Sequence, residues 1–209
     1  MKFFALAKTS ISALFVSIVF SATAQADAPS HVRLRSISYA GSGCPGGTLA
    51  QSISADHRLL SLHFDSFIAE VGRGVPMTEA RKNCQVNIDL DYPSGWSFAI
   101  ESVDYKGYAS LERGVTAVLS STSYYAGAAQ TARLQTTFRG PFDADYSVRD
   151  QLSVSSQLWS PCGANRSLNI NTQVRLDNSQ NRSGDGLVTV DRMQTAATHQ
   201  YGLLWRRCR

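Results

Sequence analysis

The 209-residue sequence lacks the motifs by which many enzymes and metalloproteins are recognised. It has no G-x-S-x-G sequence of the kind that presents a nucleophilic serine, no glycine-rich nucleotide loop and no EF-hand spacing. It also has no C-x-x-C pair, and no histidine stands near a cysteine at zinc-ligand spacing. The sequence therefore predicts no catalytic residue, no cofactor and no firm metal site. A non-enzymatic protein is favoured, without the question being decided.

Long helical periodicity and long apolar runs are missing beyond the first 26 residues. Residues 77–83 are the one stretch that has a helical composition, and they are too short for more than a turn or two. No later stretch approaches the roughly 20 apolar residues that a membrane-spanning helix needs. The sequence thus argues against a helical fold and against a membrane span in the mature chain.

The first 26 residues have the three parts of an export signal. Lys2 and Lys8 flank the start, an apolar stretch follows at residues 11–20, and small residues lead to Ala24-Gln25-Ala26. This order predicts a signal peptide, residues 1–26, that is cleaved after Ala26. The apolar stretch is too short for the alternative, an uncleaved membrane anchor. We expect residues 27–209 to form one secreted domain, extracellular or, in a Gram-negative organism, periplasmic.

The charge pattern does not indicate a nucleic-acid partner. The formal net charge is +4, and Lys2 and Lys8 of the export signal supply two of the positive charges. A tight basic cluster stands at the end of the chain, where Arg206, Arg207 and Arg209 occur together. We interpret this cluster as a solvated tail, because the other Lys and Arg residues are scattered along the chain.

Four cysteines follow the export signal: Cys44, Cys84, Cys162 and Cys208. In an oxidising compartment they predict two disulfides, for which the sequence allows three pairings. We favour the pairing of neighbours, Cys44 with Cys84 and Cys162 with Cys208. Chain entropy alone gives each of these bridges an upper contribution of about 4 kcal/mol to the free energy of unfolding.

Two segments, residues 86–92 and 168–176, alternate strictly between apolar and polar side chains. This period of two is typical of a strand with one buried face. Weaker strand patterns occupy much of the remaining chain, separated by turn formers such as Pro93-Ser94-Gly95 and Gly140-Pro141. The sequence therefore predicts an all-β fold, an antiparallel and jelly-roll-like β-sandwich in a single domain, although an open barrel would have the same local pattern.

Several short motifs resemble those of a known family. In chain order they are Gly41-Ser42-Gly43-Cys44-Pro45-Gly46-Gly47-Thr48, Glu79-Ala80-Arg81-Lys82-Asn83-Cys84, Tyr92-Pro93-Ser94-Gly95-Trp96, Trp159-Ser160-Pro161-Cys162-Gly163 with Leu168-Asn169-Ile170-Asn171, and Trp205 before Cys208. Over residues 38–208 the chain resembles the secreted family called domain of unknown function 4360. The resemblance implies a small exported protein whose four cysteines occupy motif positions, and it implies no catalytic residue.

The histidines and the acidic pairs are the candidates for acid-base chemistry or metal binding. The histidines are His31, His57, His63 and His199, and we expect them on the surface or at strand edges because none stands in a recognisable constellation. The acidic pairs are Asp89 with Asp91, Asp143 with Asp145, and Asp185 with Asp191. A solvated face is the favoured interpretation of the first pair. In the polar loop at residues 178–191, Asp185 and Asp191 are weak calcium candidates.

Aromatic residues supply the candidate ligand-binding surface. Tyr105 and Tyr108 flank Gly107 in a loop-like setting, so we expect both outside the core, where sugar rings can stack on them. Trp96 and Trp159 are expected in the core, because the aromatic side chains of a β-sandwich mostly point inward and supply large buried area.

These observations favour a secreted, non-enzymatic module that binds an extracellular or cell-surface ligand such as a polysaccharide. The alternative is a small secreted carbohydrate-active hydrolase whose Asp and Glu residues converge only in the fold. A structural protein without a ligand is a third interpretation. Asn165 and Asn181 begin N-x-S sequons, which matter only in an organism that glycosylates such sites.

Overall fold

The computed structural model describes residues 28–190 and 197–208, so the predicted signal peptide lies outside the described residues. The described residues form twelve β-strands and two short 3-10 helices. None of the helices in this part of the chain is long and apolar enough to cross a membrane. Of the short helical stretch predicted at residues 77–83, only Met77–Ala80 is helical, because the next strand already begins at Arg81.

The strands vary in length from 4 to 16 residues. The strands are β1 (Arg33–Ala40), β2 (Leu49–Ile53), β3 (Leu59–Phe64), β4 (Ile68–Val71), β5 (Arg81–Asp91), β6 (Trp96–Leu111), β7 (Thr116–Tyr125), β8 (Ala132–Arg139), β9 (Phe142–Gln151), β10 (Leu168–Asp177), β11 (Gly186–Thr189) and β12 (Ala197–Arg207), and the 3-10 helices are Met77–Ala80 and Val154–Ser156. A five-stranded sheet has the order β1-β5-β10-β7-β8. A seven-stranded sheet has the order β2-β3-β12-β6-β11-β4, with β9 paired to β6.

Strands β5 and β10, which contain the two strictly alternating segments, lie side by side in the five-stranded sheet as an antiparallel pair. Their apolar side chains are buried, and Ile88 stands directly opposite Leu168. On the other face, Nδ2 of Asn87 donates a hydrogen bond to Oδ1 of Asn169 at 3.0 Å. One apolar face and one polar face place the core between this sheet and the seven-stranded sheet.

Buried tyrosine hydroxyls join the two sheets across the core. Tyr125 of β7 donates a hydrogen bond to the carbonyl oxygen of Phe98 on β6 at 2.6 Å. The hydroxyl of Tyr201 on β12 is hydrogen-bonded to Thr172 of β10 at 3.0 Å and to Ser121 of β7 at 3.2 Å. Each bond connects a strand of one sheet to a strand of the other, so the two antiparallel sheets pack face to face. The predicted all-β sandwich is confirmed.

The two disulfides join Cys44 to Cys84 and Cys162 to Cys208, which is the neighbour pairing favoured from the sequence. Cys44 and Cys84 are fully buried and tie the segment before β2 to β5. Cys162 is exposed, and its bridge ties the segment before β10 to the residue that follows β12. One bridge thus belongs to the core, and the other fastens the last strand to a surface segment.

The basic cluster that we interpreted as a solvated tail lies largely in β12. Arg206 and Arg207 are exposed residues of this strand, and their guanidinium carbons lie 4.1 Å from the ring centroids of Trp159 and Trp96, respectively. Cation–π contact of this kind orders the arginine side chains, so the tail interpretation is wrong for both. Trp96 is buried as predicted, whereas Trp159 is only partly buried and is not a core residue. Arg209 lies outside the described residues.

Candidate functional site

The two tyrosines predicted to bind a ligand lie on opposite faces of one strand. Gly107 stands in the middle of β6 and not in a loop, and a Cβ at this position would collide with the carbonyl oxygen of Thr189. Successive strand residues point to alternate faces, so Tyr105 and Tyr108 are directed to opposite sides of the sheet. Tyr105 is fully buried, and this burial raises the pKa of its hydroxyl. The prediction that Tyr105 lies outside the core is therefore wrong.

Tyr105 belongs to a buried aromatic cluster around His199. The imidazole centroid of His199 lies 4.8 Å from the ring centroid of Tyr105 and 5.3 Å from that of Phe64. Neither imidazole nitrogen has a hydrogen-bond partner in the described part of the chain. Burial lowers the pKa of His199 to about 3. The expected surface position is wrong for this histidine, which is a neutral core residue and not an acid-base group open to a substrate.

The other three histidines do not converge on a site. His31 is exposed and His63 is partly buried on β3. His57 lies in a turn with a left-handed φ of 61°, and its Nδ1 is 3.1 Å from the carbonyl oxygen of Pro29. Within residues 28–190 and 197–208, no three His, Cys, Asp or Glu side chains come together as a possible metal site.

The acidic pair Asp89 and Asp91 contacts a neighbouring strand. Asp89 and Asp91 on β5 both accept from the guanidinium group of Arg35 on β1, at 3.4 and 3.0 Å. The exposed guanidinium group partly neutralises this polar face.

Asp185, one of the two weak calcium candidates, also bonds to neighbouring segments. Its Oδ1 accepts a hydrogen bond from the backbone N–H of Arg73 at 3.3 Å, and its own N–H donates to Glu112 at 3.2 Å. Asp191, the other candidate, lies outside the described residues, so the calcium site stays a prediction.

Tyr108 lies on the outer face of the seven-stranded sheet and is partly exposed. Its hydroxyl donates a hydrogen bond to Oδ1 of Asp143 on β9, and this acceptor raises the pKa of the Tyr108 hydroxyl. Directly opposite Tyr108 stand Asp145 on β9 and Thr189 on β11. The hydrogen bond to Asp143 holds the phenol ring in place on the solvent-facing side of the sheet.

Side chains of four neighbouring strands surround this ring, and we call the surface they form the Tyr108 platform. It consists of Ile68 and Glu70 of β4, Leu187 and Thr189 of β11, Lys106, Tyr108 and Ser110 of β6, and Asp143 and Asp145 of β9. All of these residues are exposed or partly exposed. The platform combines one aromatic ring with hydroxyl, carboxylate and ammonium groups, which supply both donors and acceptors.

A cleft of about 700 Å³ lies beside β4, the first 3-10 helix, the start of β5 and the end of β10. It is lined by Val71, Gly72, Val75, Pro76, Met77, Ala80, Arg81, Arg175, Leu176, Asp177, Asn178, Ser179 and Arg182, and we call it the arginine cleft. Its arginines are far apart in the chain and form no motif in the sequence. The antiparallel pairing of β5 with β10 brings two of them together, because it sets Arg81 opposite Arg175.

Comparison with known proteins assigns the chain to a family. Residues 30–208 match the sequence profile described as Domain of unknown function (DUF4360). The chain belongs to the DUF4360 family. The match includes all four cysteines, and the resemblance carried by the sequence motifs is confirmed.

One relative of this DUF4360 protein is an "Uncharacterized secreted protein" of Arthroderma benhamiae, 42% identical over 180 residues, which are 86% of this chain and 73% of the relative. Among solved structures, the DUF4360 chain is similar to TmCBM61 in complex with beta-1,4-galactotriose, at 10% identity and a TM-score of 0.27, with 82% of this chain and 88% of that chain covered. A likeness this weak carries no argument about the ligand. The secreted relative and the two disulfides fit an extracellular location for the DUF4360 protein.

Proposed function

We propose that this DUF4360 protein is a secreted, non-enzymatic module that binds an extracellular or cell-surface polysaccharide through the Tyr108 platform. The observation that supports the proposal is the tethered Tyr108 ring, which is partly exposed, fixed by Asp143 and carried on a sheet. A ring that is fixed before binding loses little conformational entropy when a ligand packs on it.

The platform offers both kinds of contact that a sugar ring makes. The face of a sugar ring is largely apolar, and the Tyr108 ring gives it a flat apolar surface. The hydroxyl groups at the sugar edge need donors and acceptors, and Lys106, Asp145 and Thr189 supply them beside the ring. Because the described residues of the platform include one aromatic ring and no further ring that would enclose a ligand, we expect weak binding with a dissociation constant in the range of about 0.1 to 1 mM.

Retention of the mature chain on insoluble polysaccharides tests the proposal. The Tyr108→Ala variant should lose at least tenfold in affinity, because it removes the ring and frees Asp143. Tyr124→Ala is the matched control, since Tyr124 is partly exposed on β7, in the other sheet. The Tyr108→Phe variant keeps the ring and loses the tether, and it should bind with intermediate affinity. Equal retention of the Tyr108→Ala and Tyr124→Ala variants would contradict the proposal.

One observation favours the alternative function, a carbohydrate-active hydrolase. Asp143 and Asp145 lie two residues apart on the same face of β9, which sets their Cα atoms about 7 Å apart. Carboxyl groups separated by about 5 to 10 Å serve glycoside hydrolysis. Both side chains are exposed, however, whereas the acid of such a pair needs surroundings that raise its pKa. Release of soluble sugar that the Asp145→Asn variant abolishes would favour the hydrolase.

A further inference from the structure

The arginine cleft holds three arginines, none of which forms an ion pair in the described part of the chain. Arg81 and Arg175 are direct cross-strand partners, so both side chains lie on one face of the β5–β10 pair. Arg182 approaches from the loop after β10, and all three arginines are exposed. Among the described residues, no carboxylate lies within ion-pair distance of any of the three. Like charges placed directly opposite each other destabilise a sheet, so we expect this pair to lower the stability of the folded protein.

The negative charge near the cleft is too small to balance the arginines. Among the described lining residues Asp177 is the one acidic residue, against three arginines, which leaves a net charge of +2 for this lining. The Asp177 carboxylate accepts a hydrogen bond from the backbone N–H of Ser179 at 2.8 Å, and hydrogen bonds from Ser179, together with a smaller effect of the Arg175 charge, lower its pKa. Glu79, in the adjacent 3-10 helix, is paired with Lys82 at 2.7 Å. The cleft therefore presents a field that attracts an anion from outside.

The rest of the lining is aliphatic. Val71, Val75, Pro76 and Leu176 form apolar parts of the cleft, and Met77 at its rim is 92% exposed. No aromatic side chain is among the described lining residues, so this lining offers a sugar ring no aromatic surface to stack on. Exposed methionine and arginine are instead characteristic of surfaces that bind other proteins.

We propose that the arginine cleft binds an acidic peptide segment of a partner protein. The guanidinium groups of Arg81 and Arg175 form ion pairs with glutamate or aspartate carboxylates of this segment. A planar guanidinium group can donate two parallel hydrogen bonds to one carboxylate. An aliphatic side chain between the acidic residues packs against Met77 and Pro76. This interaction is separate from the proposed polysaccharide binding, because it uses residues outside the Tyr108 platform.

Fluorescence polarisation with a labelled Glu-Glu-Leu-Glu-Glu peptide tests the proposal, with Gln-Gln-Leu-Gln-Gln as the uncharged control. The acidic peptide should bind in 50 mM NaCl and bind at least tenfold more weakly in 500 mM NaCl, since screening weakens exposed ion pairs. The Arg175→Gln variant should bind it at least fivefold more weakly. Arg139→Gln, which removes an exposed arginine of β8, should bind as the unmodified protein does. The Met77→Ala variant should lose about threefold, which tests the apolar contact without changing charge.

Three results would overturn the inference. The first is no binding of the acidic peptide at low salt, and the second is equal binding by the Arg175→Gln and Arg139→Gln variants. The third is tighter binding of an oligogalacturonate than of the peptide at the same salt concentration, which would assign the cleft to an acidic polysaccharide. The Tyr108→Ala variant should bind the acidic peptide normally, so a failure of the polysaccharide proposal and a failure of this one are distinguishable.

Discussion

Lowering the pH from 7 to 5 should destabilise the protein through one residue, His199. Its imidazole is fully buried among the rings of Phe64, Tyr105 and Tyr201, and neither nitrogen has a hydrogen-bond partner in the described part of the chain. Protonation in the folded state would place an uncompensated charge in this apolar cluster. Desolvation therefore lowers the pKa of His199 from 6.5 to about 3.

The sign of the effect follows from the two pKa values. The unfolded chain takes up the proton near pH 6.5, whereas the folded chain takes it up only near pH 3. Stability is complete above pH 6.5 and is lost as the pH falls from 6.5 towards 3. A pH of 5 lies about 1.5 units below the pKa of the imidazole in the unfolded chain, so the unfolded chain is protonated and the folded chain is not. This difference lowers the free energy of unfolding by about 2 kcal/mol relative to pH 7.

Urea denaturation at pH 7, 6 and 5 measures this loss, and a variant isolates the residue responsible. His199→Phe removes the titrating group and suits the aromatic surroundings, so any packing cost should be the same at every pH. This variant should lose less than about 0.5 kcal/mol between pH 7 and 5. His31→Gln, which removes an exposed histidine, should lose stability as the unmodified protein does. If His199→Phe retains the full pH dependence, His199 is not the residue responsible.

Three further predictions concern stability and modification. Replacing Cys44 and Cys84 by alanine should lower the free energy of unfolding in urea by about 4 kcal/mol. The loss should exceed that caused by removing the exposed second disulfide. Equal losses would contradict the core role of the Cys44–Cys84 disulfide. Arg175→Gln should raise the free energy of unfolding by about 0.5 kcal/mol, because it removes the repulsion between Arg175 and Arg81. A loss of stability would show that other groups offset this repulsion in the folded protein. When the chain is secreted from a yeast that N-glycosylates, peptide mass mapping should find a glycan on the exposed Asn165 and none on Asn181. The Nδ2 of Asn181 already donates a hydrogen bond to a backbone carbonyl oxygen at 2.9 Å. A glycan on Asn181 and none on Asn165 would contradict this prediction.

The alternation of apolar and polar residues predicted β5 and β10 correctly, because each strand has one face in the core and one face in water. This pattern can be recognised in a single sequence. On β6 the prediction from the sequence was wrong. Gly107 suggested a loop between Tyr105 and Tyr108, but it is a strand glycine required by the close approach of β11. That approach is a tertiary contact between residues about 80 positions apart in the sequence. The sequence therefore predicted an exposed position for both tyrosines, which fits the partly exposed Tyr108 and is wrong for the buried Tyr105.

The arginine cleft was beyond sequence reasoning because it depends on the register of β5 against β10. Alternation decides which side chains share a face, and a shift of two residues keeps every side chain on its face. In the observed register Arg175 stands opposite Arg81, whereas a shift of two would align it with Glu79, an oppositely charged residue. The chain instead keeps the register in which Asn87 and Asn169 are hydrogen-bonded and two arginines face each other. Among the described residues neither arginine of this pair forms an ion pair, so the pair that weakens the sheet is also the pair that we propose binds an acidic peptide.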